Sequence, residues 1–262
     1  MINKLSKNLL EIYSGRVVLM ILVRQYLTLR YRRTALGYLW TLVSPLLMMT
    51  VMAFVFSALQ KVDTKTFAVF LFSGMIPWNC FNAITLQSSG VLINNEGLIK
   101  KVYIPKMIFP ISIALGVLVD SILSFLALAV IIVILGGIPS IVWLFIPVAF
   151  FLLFVFSLGV ALIVSVSTVF FRDLQYLLAI IMQALFFLSP VLYETNMLAG
   201  NIAWIVSLNP IVPFIDLFRF ILHDGVLPDT NVLIHSTVLS LLSVGLGGMF
   251  FLSQQAKIVF RL

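Results

Sequence analysis

Few side chains in this sequence are placed to do chemistry. His223 and His235 stand twelve residues apart, with no third side chain at a spacing that would complete a metal site. Cys80 is the single cysteine, so it can form no disulfide within the chain. Asp120 is the one acid well inside an apolar run. A charged Asp at the centre of a membrane helix costs about 2.5–3.5 kcal/mol on insertion scales, so Asp120 is expected either to make an interhelical hydrogen bond in the bundle interior or to sit near one end of an overlong span. A proton relay would need titratable neighbours along the same path, and none accompanies it in the sequence. The chain contains no G-x-x-x-x-G-K-[ST], no H-E-x-x-H and no G-x-S-x-G. It therefore has no phosphate cradle for ATP, no zincin site and no nucleophile elbow of its own. A membrane glycosyl or acyl transferase would want acids or a His gathered in a membrane-facing loop, whereas the acids here are dispersed. The sequence thus points to binding and movement rather than to bond-making.

The elements that position these residues are set by composition. Of 262 residues 62% are hydrophobic and 10% charged, and mean hydropathy is +1.19. A soluble domain carries about 25% charged residues. So much apolar surface needs lipid as its solvent, and the fold class is an all-α integral membrane protein. Runs long enough for a spanning helix fall at 36–59, 67–87, 108–135, 143–168, 174–192 and 232–252, which gives six spans in a single domain, 1–262. Pro45 interrupts the first of them, while Pro110 is tolerable in the first turn of the third. No cleavable signal peptide is expected: the apolar run 17–23 has seven residues, is followed by Arg24, and lacks a small-residue cleavage site.

Charge sets the orientation. With both ends of the chain inside, thirteen of the sixteen Lys and Arg fall on inside segments, leaving Lys61, Lys65 and Arg219 outside. Most of the outside acids, Glu194, Asp216, Asp224 and Asp229, are spread between spans five and six. The positive-inside rule then places both termini in the cytoplasm. The net charge of +7 reads as topology and calls for no nucleic acid.

Three segments do not span. In residues 5–33, Leu19, Leu22, Val23, Tyr26 and Leu27 recur at helical spacing, while Arg16, Arg24, Gln25 and Thr28 tend to the other side. Arg30, Tyr31, Arg32 and Arg33 follow, which predicts a helix in the membrane interface over residues 1–35 with arginines reaching anionic headgroups. The stretch 94–106, NNEGLIKKVYIPK, predicts a short cytoplasmic helix starting near Asn94 or Asn95 and stopping before Pro105, with Glu96, Lys100, Lys101 and Tyr103 exposed to a docking partner. In 193–231, the runs 199–206 and 211–222 are too short to span, and Asn209, Pro210 and Pro213 punctuate them. Two re-entrant or interfacial helices on the outer side are expected there, lining an exit vestibule.

Several motifs converge on one family. The stretch 24–47, with Arg30 and Tyr31, Leu36 and Gly37, Trp40 and Pro45, resembles the first-span signature of the permease subunits of polysaccharide ABC exporters, which handle O-antigen, capsular polysaccharide or teichoic acid. Phe171, Arg172, Asp173 and Leu174 resemble that family's FRD turn; Ser189, Pro190, Val191, Leu192 and Tyr193 its SPV-x-Y; Asn209 and Pro210, followed by Arg219, its NP…R segment. The resemblance covers nearly the whole chain in the same order. It implies a homodimer with two copies of a separate ATPase subunit, docked through the interface helix, the loop after span two and the Arg172–Asp173 turn. It implies a path walled by spans one and five, so that Trp40, Pro45, Phe186, Phe187, Pro190, Tyr193, Asn209, Pro210 and Arg219 belong to path or gate. Aromatic faces such as Trp78, Phe186 and Tyr193 suit sugar C–H surfaces. The implied substrate is a lipid-linked polysaccharide crossing the bacterial inner membrane. No cofactor or metal is expected on this chain, with ATP and Mg on the partner. Other lipid-linked or amphipathic substrates fit the same plan. An ion-coupled secondary transporter would show an inverted repeat and several intramembrane charges, which the sequence lacks.

Overall fold

A computed structural model describes residues 15–31, 40–134, 140–195 and 200–262. Among the described residues every regular element is helical: α1 (Arg16–Tyr31), α2 (Trp40–Gln60), α3 (Thr64–Ser89), α4 (Val91–Asn94), α5 (Glu96–Lys101), α6 (Ile108–Ile134), a 3₁₀ turn (Ile141–Phe145), α7 (Ile146–Phe170), α8 (Leu174–Phe187), α9 (Asn201–Ser207), α10 (Val212–Leu222) and α11 (Thr230–Arg261). Four of them, α3, α6, α7 and α11, are long and apolar enough to cross a membrane. The pair α9 and α10 is bent by 86° at its short break, as a broken span or re-entrant loop is.

Helix α3 is the hub. Asp63 caps its first turn by accepting a hydrogen bond from the Thr66 amide at 3.1 Å, a bond that also holds this exposed carboxyl below the usual range. Phe67, Phe70, Leu71, Trp78, Phe81 and Ile84 are buried along it, against α2, α6, α7, α8 and α10. Helices α7 and α11 meet most closely. A methyl group built on Gly159 would overlap the backbone carbonyl of Ser243, and one on Gly247 would overlap that of Gly159. Ser240 Oγ donates to the Leu152 carbonyl at 2.8 Å and Ser243 Oγ to the Phe156 carbonyl at 2.7 Å, stitching the crossing where small residues let the backbones touch.

The charges divide between the two ends of the bundle. At one end, where α3 and α7 finish and α6 and α8 begin, lie Lys100, Lys101, Lys106, Arg172, Lys257 and Arg261. At the other lie Asp63, Glu194, Asp216, Asp224 and Asp229, together with Lys61, Lys65 and Arg219.

Helix α2 (Trp40–Gln60) includes Pro45 in the second of its turns, so the interruption expected there lies within one helix. The structure departs from the span reading in two places. The run 174–192 is helical only to Phe187; α8 has 14 residues, about 21 Å of rise against the roughly 30 Å of a hydrocarbon core. Helix α11 continues nine residues past 252, because Ile258 still has a core to pack into at the basic end.

On α1, Leu19, Leu22, Val23, Tyr26 and Leu27 are half-buried and Arg16, Arg24, Gln25 and Thr28 exposed, the division the spacing predicts. The buried side lies on α6, with the Tyr26 ring seated where a methyl group on Gly116 would be. The exposed side also carries Val17, Met20, Ile21 and Leu29, which suits lipid better than water. Gly116→Val is expected to lift α1 off α6 at an overpacking cost of about 1–3 kcal/mol. In a Cys80→Ala background, maleimide labelling of Leu19→Cys should then quicken several-fold; unchanged labelling would show that the ring yields without the helix.

Candidate functional site

Helix α8 ends at Phe187, and a helix end leaves its last carbonyls without intrahelical partners. The chain satisfies them with side chains from three segments. Ser189 Oγ donates back to the Leu185 carbonyl at 2.7 Å, and Tyr193 Oη to the Phe187 carbonyl at 3.1 Å. Asn209 Nδ2 donates to the Leu188 carbonyl at 3.3 Å and to Ser189 Oγ at 2.9 Å. Arg219 Nη2 donates to the carbonyl of Pro190. Pro190 brings no N–H of its own to continue the helix, and Val191 N turns back to the Ser189 carbonyl at 2.7 Å. Asn209 Oδ1 meanwhile accepts from the Ile211 amide at 3.2 Å, fixing the corner between α9 and α10. Ser189, Tyr193, Asn209 and Arg219 thus form one cap on α8.

Helix α10 is not a surface element. Phe214, Ile215, Leu217, Phe218 and Ile221 are fully buried, Phe214 stacks on Phe156 at 4.7 Å and Phe218 meets Phe150 edge-on at 4.9 Å. The helix enters the bundle and climbs toward the acidic end. There the Arg219 guanidinium lies over the Phe70 ring, 3.9 Å from its centroid, while its Nε is buried with no hydrogen-bond partner among the described residues. Arg219 forms one wall of a cavity of about 360 Å³ shared with Glu194, Asp216, His223 and Asp224. His223 Nδ1 lies 2.8 Å from Asp224 Oδ1; His235 is exposed on α11, and among the described residues no metal-holding group of His, Cys, Asp and Glu forms.

The residues assigned to path or gate divide accordingly. Pro190, Tyr193, Asn209 and Arg219 belong to the α8 cap, with Pro210 exposed at the same corner. Phe186 is half-buried against Trp78 at 5.6 Å. Phe187, 62% exposed, and Trp40, 43% exposed, lie on open faces of α8 and α2. Among the described residues of α8 only Leu178 and Met182 are buried, leaving Tyr176, Leu177, Ile180 and Ile181 uncovered.

The residues expected to dock a partner gather at the basic end. Asn95 starts α5, though its side chain reaches back to the Val91 carbonyl at 2.7 Å rather than capping the helix. Lys100 Nζ bonds Glu96 Oε1 at 2.6 Å in the favourable i,i+4 order. That bond, with added attraction from Lys100 and Arg172, holds the Glu96 carboxyl below its ordinary range. Beyond α5, Tyr103 is 85% exposed. The α7–α8 turn is built by Leu174, Gln175 and Tyr176 amides bonding back to Phe171, Arg172 and Asp173 carbonyls, and the Asp173 side chain makes no capping bond. Gln175 then rests against Gly90, where a methyl group would strike its amide. Arg172 and Asp173 are therefore beside α4 and α5, exposed on the same end as Lys101. Arg24 is exposed on α1, Arg30 and Tyr31 fall in its last turn, and Arg32 and Arg33 lie outside the described residues.

A family model described as ABC-2 type transporter matches residues 17–223. The chain belongs to the ABC-2 type transporter family. An O-antigen export system permease protein RfbA of Klebsiella pneumoniae is 30% identical over 214 residues, 80% of this chain and 82% of that protein. A protein of the same name from Myxococcus xanthus is 28% identical over 249 residues, 94% of this chain and 96% of its own. The polysialic acid transport protein KpsM of Escherichia coli is 25% identical over 223 residues, 83% and 86% of the two chains.

For this ABC-2 transporter chain, motif resemblance located the α8 cap residues but not their common task. The missed partners are Phe70, which receives Arg219, and the small-residue seam of α11. That seam had a signal: Ser236, Ser240, Ser243 and Gly247 follow one another at helical spacing on one face.

Proposed function

We infer that the chain is the membrane subunit of an ATP-driven exporter that carries a lipid-linked, O-antigen-like polysaccharide across the bacterial inner membrane. It works as a homodimer with two copies of a separate ATP-binding subunit, which holds the ATP and Mg; this chain binds no cofactor of its own. Its basic end faces the cytoplasm, with both termini there, and α2, α3, α6, α7, α8 with its non-helical continuation, and α11 make six crossings. The carrying observation is likeness along most of the chain to relatives named as O-antigen and polysialic acid export proteins. Two surfaces support it. The uncovered apolar flank of α8 suits a second copy, and the exposed Lys100, Lys101, Tyr103, Arg172 and Asp173 suit a soluble partner. ATP binding on that partner supplies the differential affinity for two states that a switch requires.

The test is co-expression of the tagged chain with a candidate ATP-binding subunit, followed by co-purification and assay of surface glycan. Charge reversal at both Lys100 and Lys101 should lower retention of the ATP-binding subunit about tenfold, or 1.4 kcal/mol, with membrane insertion unchanged. Full retention together with full surface glycan would sink the docking role of these lysines. Failure of any ATP-binding subunit to co-purify with the unaltered chain would sink the exporter reading itself.

A further inference from the structure

The last turns of α11 carry Phe260, eight residues past the end of the apolar run at Leu252 and 89% exposed. A large aromatic side chain left exposed on an ordered helix is costly in water unless something covers it.

The backbone beneath it is fixed. Ile258 is fully buried in a cluster with Leu92, Ile99, Phe109 and Phe251, and Ile104 and Leu262 pack against that cluster. Lys106 Nζ donates to the Gln255 carbonyl at 3.1 Å, binding the segment between α5 and α6 to the end of α11. Burial against this surface pushes the Lys106 ammonium below its ordinary range. Tyr103 and Phe260, the two most exposed aromatics at this end among the described residues, thus flank one core. Lys100, paired with Glu96, and the exposed Lys101, Lys257 and Arg261 lie on the same elements.

We propose that the last turns of α11, joined to the α5–α6 segment by Lys106, form a second part of the docking surface for the ATP-binding subunit, with Phe260 and Tyr103 as its aromatic anchors. This rests on the exporter reading and extends it, since that reading used only α5 and the α7–α8 turn. The complementary partner surface is an apolar recess rimmed by acidic side chains, because the rim offered here is basic. Aromatic anchors in a recess ringed by polar contacts carry most of the energy of such interfaces. Two attachment points on one rigid body would make this end follow the ATP-binding subunit as a unit.

Photocrosslinking in the assembled complex decides it without disturbing the fold. p-Benzoylphenylalanine is placed at Phe260, at Lys101 as the marker of the exporter reading, and at Phe250 on the membrane part of α11 as the lipid-facing control. The expected result is a crosslink to the ATP-binding subunit from positions 260 and 101 and none from 250. A crosslink from 101 but not from 260 overturns this inference and leaves the exporter reading standing; none from either position overturns the reading. In a second measurement, Phe260→Glu should lower retention of the ATP-binding subunit about tenfold in neutral detergent, and Phe260→Trp should retain it. A loss seen only in bilayers rich in anionic lipid would assign Phe260 to headgroups and overturn the docking role.

Discussion

Gly159→Leu is expected to separate α7 from α11 and leave little folded protein in the membrane. The two helices touch backbone to backbone: even a methyl group at Gly159 overlaps the Ser243 carbonyl, and the contact is reciprocal at Gly247. A flexible side chain could swing aside, but a helix backbone moves only as a whole. Moving it would break the Ser240 bond to Leu152 and the Ser243 bond to Phe156. Interhelical bonds of this kind contribute about 0.6 kcal/mol each in membranes, so the larger loss is of packing along the seam. Overpacking a tight contact costs about 1–3 kcal/mol for a few methylenes, and four added carbons against backbone should exceed that range. The measurement is the yield and monodispersity of detergent-extracted protein, with Gly245→Leu as the matched control, since a side chain there meets nothing within contact distance. Equal yields of the two variants would mean that α7 and α11 do not cross where they are placed.

That seam also shows where sequence reading stops. Hydropathy identifies residues that prefer lipid, so it located α3, α6, α7 and α11. It is silent on which apolar helices touch, because in lipid a leucine gains little by leaving solvent for a neighbouring helix. Period was legible where polarity gave it contrast, as on α1, whose inner face matches the residues spaced for it. The short polar element was legible for the same reason: Asn95, Glu96, Lys100 and Pro105 punctuate it, and α5 begins and ends among them. The run 174–192 misled because apolar residues continue through Leu188, Val191 and Leu192 after the helix has stopped. What stops it is local chemistry: Ser189 returns to Leu185, Pro190 cannot donate, and the nearby Tyr193 with the distant Asn209 and Arg219 take the freed carbonyls. The motifs containing those residues could be recognised singly, but their meeting point depends on α10 entering the bundle, a fact of packing rather than of pattern.

Arg219 carries the second large effect. Its Nη2 holds the Pro190 carbonyl, its guanidinium plane covers Phe70, and it stands on a cavity wall that also bears Glu194, Asp216 and Asp224. Arg219→Ala removes all three contacts at once. An unsatisfied buried carbonyl costs about 1–3 kcal/mol, and a partly desolvated cation–π contact is worth about 0.5–2 kcal/mol. The loss should therefore be about 2–5 kcal/mol before any repulsion among the acids is counted. Because Pro190 belongs to the end of α8 and Arg219 to α10, the loss should appear first as independent motion of those elements. Thermal unfolding of the purified chain should begin several degrees lower, and surface glycan should fall at least about tenfold, as a shift of 1.4 kcal/mol in the working population would give. Arg219→Lys separates the contributions: an ammonium keeps the charge and can reach one carbonyl, but it cannot lie flat on Phe70 while donating sideways. It should fall between the unaltered chain and Arg219→Ala in stability. If Arg219→Ala melts like the unaltered chain while export is lost, Arg219 contacts the passing substrate and does not hold the end of α8 together. If Arg219→Lys matches the unaltered chain in both measurements, charge alone matters and the planar contact with Phe70 contributes nothing.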